Sequence, residues 1–186
     1  MSSPRSDILE TAGRLFFSQG YTQTGINQLI DESGVARRTF YHHFESKEAL
    51  GVAYLELAGT AWLASLRAAV AGRRSAGGAI QALFDHVQRF ALDTSFRGCG
   101  ILNLGAEFAD LGNPVRVRVR ETKLAQRNLV RELLQAFAVP VRIADQVSVL
   151  IEGAIALAAA LADVAPIHSA RDAALELLKN SQNETP

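Results

Sequence analysis

Apolar side chains return at every third or fourth position along most of this chain, and convincing strand alternation is scarce. A period near 3.6 gathers each segment's apolar residues into one stripe, and packing helix on helix is how such stripes leave water. One segment argues otherwise, because residues 113–120, NPVRVRVR, alternate as a strand would. Yet Arg116, Arg120, Lys123, Arg127 and Arg131 are spaced four, three, four and four, which places them in one row on a helix. The helical period covers more residues, and Asn113 before Pro114 also marks a helix start. The basic row is expected to be a solvated face.

Breaks at residues 20–25 (GYTQTG), 33–34, 72–78, 97–100 and 112–114, and at Pro140 and Pro166, divide the chain into about nine helices. The first three are short and the rest mostly long. The expectation is an all-α fold with a three-helix head over residues 1–50 and a helical body over residues 51–186.

The 186 residues suffice for a sizeable core, and the 19 basic and 19 acidic side chains cancel. Any attraction to nucleic acid or membrane must therefore be local. A single cysteine, Cys99, allows no internal disulfide, and MSSPRSDILE lacks the apolar core of a signal peptide, so a cytoplasmic location is expected. The longest apolar tract, residues 147–165, is interrupted by Glu152 and Asp163 and reads as a buried or interface helix, with no membrane partner.

In the head, Ile8, Leu9, Ala12, Leu15 and Phe16 make one face that stops at Gly20. A second helix begins at Ile26, with Thr24 placed to cap its free amides, and Gly34 permits the turn that follows. In the third helix Phe40 and Phe44 point inward with Ala36, so Arg38 and His42 project outward, flanked by Thr39 and Tyr41. Two short helices across a glycine turn, the second displaying cations and donors over buried aromatics, fit the helix-turn-helix that enters a DNA major groove. The head as a whole is not basic, with five cations against six acids in residues 1–50; positive charge gathers in residues 37–47.

From Ile8 to Tyr54 the sequence resembles the TetR-type family of bacterial transcriptional repressors. The residues that carry the likeness are Leu15-Phe16, Gly20-Tyr21, Thr24, Ile26, Leu29, Gly34-Val35, Thr39-Phe40-Tyr41, Phe44, Lys47 and Leu50. The resemblance implies a DNA-binding head on a helical body that forms a homodimer and holds a small-molecule effector. Thr24 and Lys47 match positions that hold phosphates, Thr39, Tyr41 and His43 match recognition-helix contacts, and Arg37 matches a frequently basic position. Three residues depart from the pattern: Arg38 replaces a frequent glycine, Ala36 a frequent serine, and Gly25 a frequent hydroxyl residue. Arg38 suits bidentate contact with guanine or a phosphate, and Ala36 leaves the third helix without its usual cap. The expected partner is a palindromic double-stranded DNA operator.

The helices of residues 147–165 and 170–178 offer Val149, Ile151, Ile155, Leu157, Leu161, Leu175 and Leu178 either for pairing two subunits through a four-helix bundle or for one subunit's core. Trp62, Phe84, His86, Phe90, Cys99, Asn103 and Glu107 supply apolar walls and a few polar groups that describe a ligand pocket or an ordinary core. Asn103 and Glu107, four apart, would share a helix face and point into one cavity, or Glu107 would pair with an arginine. A second resemblance, to a TetR-type subgroup with a Gly-Cys turn, rests on Phe96-Arg97-Gly98-Cys99; Cys99 is either a sensor of oxidants and electrophiles or a small hydrophobe.

His86 and His168 are isolated, His42 and His43 adjoin, and one cysteine makes no zinc set. With no glycine-rich phosphate loop and no nucleophile elbow, no metal, cofactor or catalysis is expected. The rivals are a helical enzyme working through Glu107 or Cys99, and a protein-interaction module using the face of the third helix.

Overall fold

The computed structural model describes residues 3–93 and 96–183. Among them lie nine helices and no strand: α1 (Pro4–Gln19), α2 (Ile26–Ser33), α3 (Arg37–His43), α4 (Lys47–Val70), α5 (Ala76–Ala91), α6 (Gly100–Ala106), α7 (Pro114–Gln135), α8 (Val141–Leu161) and α9 (Ala165–Asn183). They gather into two compact units, one of residues 1–60 and 100–122, the other of residues 61–99 and 123–186. The helix α4 runs unbroken through position 50 and contributes to both units.

The first unit is built on α1. Ser3 caps it, its Oγ accepting from the Ser6 amide at 3.2 Å while Ser6 Oγ accepts from the Ser3 amide at 2.9 Å. Ile8, Leu9, Ala12, Leu15 and Phe16 form its buried face, as their spacing requires. Gly20, at φ 95°, ends the helix with its N–H on the Phe16 carbonyl. Against α1 lie the buried Leu29 and Ile30 of α2 and Phe40 of α3.

Asn113 caps α7 as its sequence suggested, Oδ1 accepting from the Val115 amide at 2.9 Å, with Pro114 at the first helical position. The basic row of α7 is less solvated than expected. Arg116 donates to the Gly105 carbonyl at 2.7 Å, Lys123 pairs with Glu152 at 2.7 Å, and Arg131 grips both oxygens of Asp145 at 2.6 and 2.8 Å. Three of the five cations thus bind neighbouring elements, while Arg120 and Arg127 are exposed.

The second unit buries Leu66, Ile80, Leu83, Phe84, Val87, Val130, Leu134, Ile143, Val147, Ile151 and Ile155 in one apolar cluster. The helix α8 is divided between two faces: Ile151 and Ile155 are core, whereas Val149 (72%), Leu157 (54%) and Leu161 (63%) are turned outward. Leu178 of α9 also joins the core. The surface left for a partner is therefore narrower than the full apolar inventory of these helices. The helices α4 and α8 are long and apolar enough to cross a membrane by length and composition alone, a test that core helices also pass.

A glycine in α4 sets one close approach in the first unit. A Cβ on Gly59 would stand 2.7 Å from Thr122 Cγ2, and Thr122 is short, branched and held by its hydroxyl bond to the Arg118 carbonyl at 2.9 Å. Helix propensity alone favours alanine by ~1 kcal/mol, but overpacking typically costs ~1–3 kcal/mol. Gly59→Ala should lower the midpoint of thermal unfolding by ~2–4 °C per kcal/mol of net loss, measured by circular dichroism; a rise would show that Thr122 yields freely.

Candidate nucleic-acid interface

The α2–turn–α3 segment takes its shape from three local choices. Gly25, extended at φ −81°, precedes α2 without a side-chain cap. Gly34, left-handed at φ 68°, ends α2 with its N–H on the Asp31 carbonyl. Ala36, extended at φ −66° and ψ 145°, precedes α3, again uncapped. Ala36 is exposed in this capping position and does not point inward with the phenylalanines as its spacing had suggested.

Phe40 is fully buried and Phe44 4% exposed, their ring centroids 6.3 Å apart, which together bind α3 to the unit by roughly 3–6 kcal/mol of burial. That anchoring leaves Arg37, Arg38, Tyr41 and His42 on the exposed side, with Thr39 and His43 half-buried at its edges. Tyr41, 42% exposed, stands edge-on to Phe40 at 5.5 Å, and the His42 and His43 rings are 5.2 Å apart. Arg37 donates to Asn27 Oδ1 of α2 at 2.6 Å. Arg38 has no hydrogen-bonding or ion-pair partner among the described residues, so its guanidinium is available to a ligand.

Thr24 is not placed as the sequence suggested. It is fully buried; its hydroxyl donates to the Gly20 carbonyl at 2.7 Å and accepts from Gln19 Nε2 at 3.2 Å. It therefore fastens the turn between α1 and α2, rather than capping α2 or presenting its hydroxyl to a phosphate. Gln19 also reaches Gln28 at 2.8 Å, Gln28 reaches Glu32 at 2.8 Å, and Arg14 reaches Glu32 at 2.6 Å. This chain of polar contacts locks α2 to α1.

Lys47, at the start of α4, is half-buried and gives two protons to the carbonyls of Tyr21 (3.1 Å) and Thr24 (3.0 Å) over the Tyr21 ring, 4.3 Å from its centroid. Burial lowers its pKa, an effect opposed by the charge of Glu107. One of its three ammonium protons remains uncommitted. Tyr21 is buried, and burial with the nearby charges of Glu48 and Glu107 raises its pKa to about 12.

Glu107 does something that sequence reasoning missed. It lies just past the end of α6, and its two oxygens accept the backbone amides of Tyr21 (2.7 Å) and Thr22 (2.6 Å). Burial pushes its pKa up, but hydrogen bonds from Thr22 and Tyr21 and the Lys47 charge outweigh this and hold it below the usual carboxylate range. Among the described residues no arginine pairs with Glu107, and, lying past the end of α6, it shares no helical face with Asn103, which is exposed on that helix.

The remaining ligand candidates belong to the second unit. Trp62 contacts His86 at 5.2 Å and Phe90 at 5.3 Å, an aromatic group the sequence had proposed. Phe84 is 1% exposed within the apolar core and offers no wall to a ligand. Cys99 is half-buried and packs against that core as a small apolar side chain. Among the described residues no group of three or more His, Cys, Asp and Glu side chains is placed to hold a metal ion.

The family profile of bacterial regulatory proteins, tetR family, matches residues 8–54. A solved TetR-family transcriptional regulator from Streptomyces coelicolor superposes with a TM-score of 0.84 at 29% identity, over 94% of this chain and 95% of that one. Residues 8–54 therefore match the tetR-family regulatory head in sequence, and the whole chain matches a TetR-family regulator in fold. The chain's relatives include the HTH-type transcriptional repressor NemR of Escherichia coli, 32% identical over 114 residues that make up 60% of this chain and 57% of NemR. The crystal structure of reduced E. coli NemR matches with a TM-score of 0.80 and 25% identity over 92% of this chain and 95% of that one. The regulator LmrA of Bacillus subtilis is 49% identical over 49 residues, 26% of each chain. The strongest sequence likeness to these regulators thus lies in the helix-turn-helix head.

Two outcomes follow from this geometry. Ala36→Ser supplies the missing cap of α3 at a residue whose backbone is already extended, and should stabilise the chain by ~1 kcal/mol, raising the melting midpoint by ~2–4 °C. Glu107→Gln replaces one acceptor oxygen by a donor and should lower the midpoint by ~2–4 °C near neutral pH, ~1 kcal/mol after solvent screening. A carboxylate held below its unfolded pKa stabilises above the ordinary carboxylate range and loses that contribution as pH falls through its folded value. The gap between wild type and Glu107→Gln should therefore close on acidification; a constant gap would dissociate the loss from Glu107's charge.

Proposed function

We propose that the exposed face of α3 enters the major groove of double-stranded DNA and that the chain is a transcriptional regulator, an effector-released repressor that binds a palindromic operator as a homodimer. The observation that carries this reading is the combination of an uncommitted Arg38 and an exposed Tyr41 on a helix fixed from behind by Phe40 and Phe44. In the groove, Arg38 suits guanine or phosphate, Thr39 a thymine methyl, and Tyr41, His42 and His43 the backbone. The uncapped starts of α2 and α3 leave amides for phosphates, and Lys47 retains one proton for the same purpose. Arg37, held by Asn27, adds a positioned positive charge.

One head offers few phosphate contacts, so two linked heads on half-sites about one helical turn apart would supply the affinity. The outward Val149, Leu157 and Leu161 of α8 are the surface we assign to that pairing. The effector would bind in the helical body and favour a state in which the heads no longer fit the operator, which requires tighter binding to that state by several kcal/mol for large switching. The helix α4 is the covalent route between the unit that holds α3 and the unit that holds Trp62. Such a regulator works in the cytoplasm, with DNA reading assigned to residues 1–50 and effector binding and pairing to residues 51–186.

Selection of duplexes from a random pool at about physiological salt should enrich a palindrome. On that palindrome Arg38→Ala should weaken binding by ~1–3 kcal/mol through a lost guanine or phosphate contact, and Tyr41→Ala should weaken binding to all sequences alike through a lost backbone contact. Full affinity in both variants, or a failure of the folded protein to enrich any duplex, would overturn the assignment of this face to DNA.

A further inference from the structure

The second unit contains a hydrogen-bond network that reaches only one of the two carboxylate oxygens of Glu152. Lys123 Nζ and Gln126 Nε2 both donate to Glu152 Oε1, each at 2.7 Å. Gln126 Oε1 accepts from Trp62 Nε1 and from Lys123 Nζ, each at 3.1 Å. An indole nitrogen only donates, so the Gln126 amide can face in one direction alone, oxygen toward Trp62 and nitrogen toward the carboxylate. Gln126 is 2% exposed and cannot turn elsewhere without breaking both ends. Glu152 Oε2, meanwhile, is buried and receives no hydrogen bond from any described residue. A buried carboxylate oxygen without a donor is costly and calls for an explanation.

A second open acceptor stands beside the same indole. Ser65 Oγ donates its one proton to the Trp62 carbonyl at 2.7 Å, so in its 2.9 Å contact with His86 Nε2 the hydroxyl accepts and the imidazole donates. That fixes the neutral ring with its proton on Nε2 and leaves Nδ1 as a lone pair, to which no described residue donates. Burial, with the nearby Arg89 charge, pushes the His86 pKa down and keeps the ring neutral. His86 and the half-buried rings of Trp62, Phe90 and Phe96 meet at 5.2 to 5.4 Å and offer apolar surface, and Gln126 links the Trp62 indole to Glu152.

We propose that Glu152 and His86 are the polar anchors of the effector site and that its ligand is a flat aromatic molecule bearing N–H donors, an aryl amidine or aryl amine, lying against Trp62. The inference rests on the reading of this aromatic group as the effector site and adds the chemical class. Two open acceptors, one on the ring packed against Trp62 and one linked to its indole through Gln126, favour a donor and, through the Glu152 carboxylate, a cationic one. A carboxylate ligand of the same shape would bring acceptors to acceptors. Glu152 was not among the residues that sequence pattern had pointed to.

Trp62 is the chain's single tryptophan, so its fluorescence reports on this site alone. Titrating the full chain with benzamidine should change that emission saturably, with a half-saturation about tenfold below that of benzoate. Glu152→Gln should remove the preference, and His86→Phe, which keeps a flat ring but no Nδ1, should reduce it; circular dichroism shows whether each variant is folded. Saturable binding of both probes without preference would overturn the donor class while leaving the effector-site reading in place. No saturable response to either would overturn both. Should Glu152→Gln keep the benzamidine preference but weaken self-association in sedimentation, the open oxygen serves a second copy of the chain and the proposal fails.

Discussion

The turn between α1 and α2 is held by two opposite charges acting on its backbone. Lys47 takes the carbonyls of Tyr21 and Thr24, and Glu107 takes the amides of Tyr21 and Thr22. A peptide unit has one donor and one acceptor, and here a cation and an anion satisfy them from opposite ends. Because Tyr21 is also buried and packed at 5.1 Å on Phe16 and 5.0 Å on Phe108, the turn cannot shift without losing contacts of several kinds at once. Position and tilt of α2 follow from this turn, and α3 follows from α2 through Gly34. The exposed face of α3 is thus placed by buried and main-chain interactions, to which only Arg37 among its exposed side chains adds a bond, to Asn27 of α2.

That arrangement separates two tasks within a short segment. Phe40 and Phe44 supply adhesion, and Arg38, Tyr41 and His42 are left to chemistry. It also reconciles a chain of zero net charge with a proposed nucleic-acid partner. Arg14 and Glu32 neutralise one another on the α1–α2 side, Arg37 is steadied by a neutral amide, and Arg38 keeps its charge uncompensated. Local field rather than net charge is what a passing phosphate would meet.

The helices were legible in the sequence because apolar spacing is a property of each segment alone. Asn113-Pro114 and the inward Phe40 and Phe44 were legible for the same reason. Thr24 and Glu107 were not, because their partners are main-chain groups, which every residue possesses and no sequence pattern distinguishes. The row from Arg116 to Arg131 was visible as a helical row, but its use was not: whether a cation meets water, a carbonyl or a carboxylate depends on what packs beside it. Ala36 shows a boundary effect, since a helix that starts one residue later turns an expected inward position into an exposed cap. Glu152 belonged to an apolar tract in which its charge looked like an interruption, and only its uneven hydrogen bonding gives it a role.

The outward row on α8 has a geometric consequence of its own. Val149, Gly153, Leu157 and Leu161 are each four residues apart, and four residues advance 400°, so the row winds about the helix axis and does not run along it. Ridges of this kind are inclined by about 26°, and two identical ones interlock with the helix axes crossed at about 50°. Two copies of this chain meeting on that row would therefore cross in the manner of globin helices, with close approach confined to the crossing point, where Gly153 adds no side chain. An extended coiled-coil seam, which needs a period of 3.5, is not available to them.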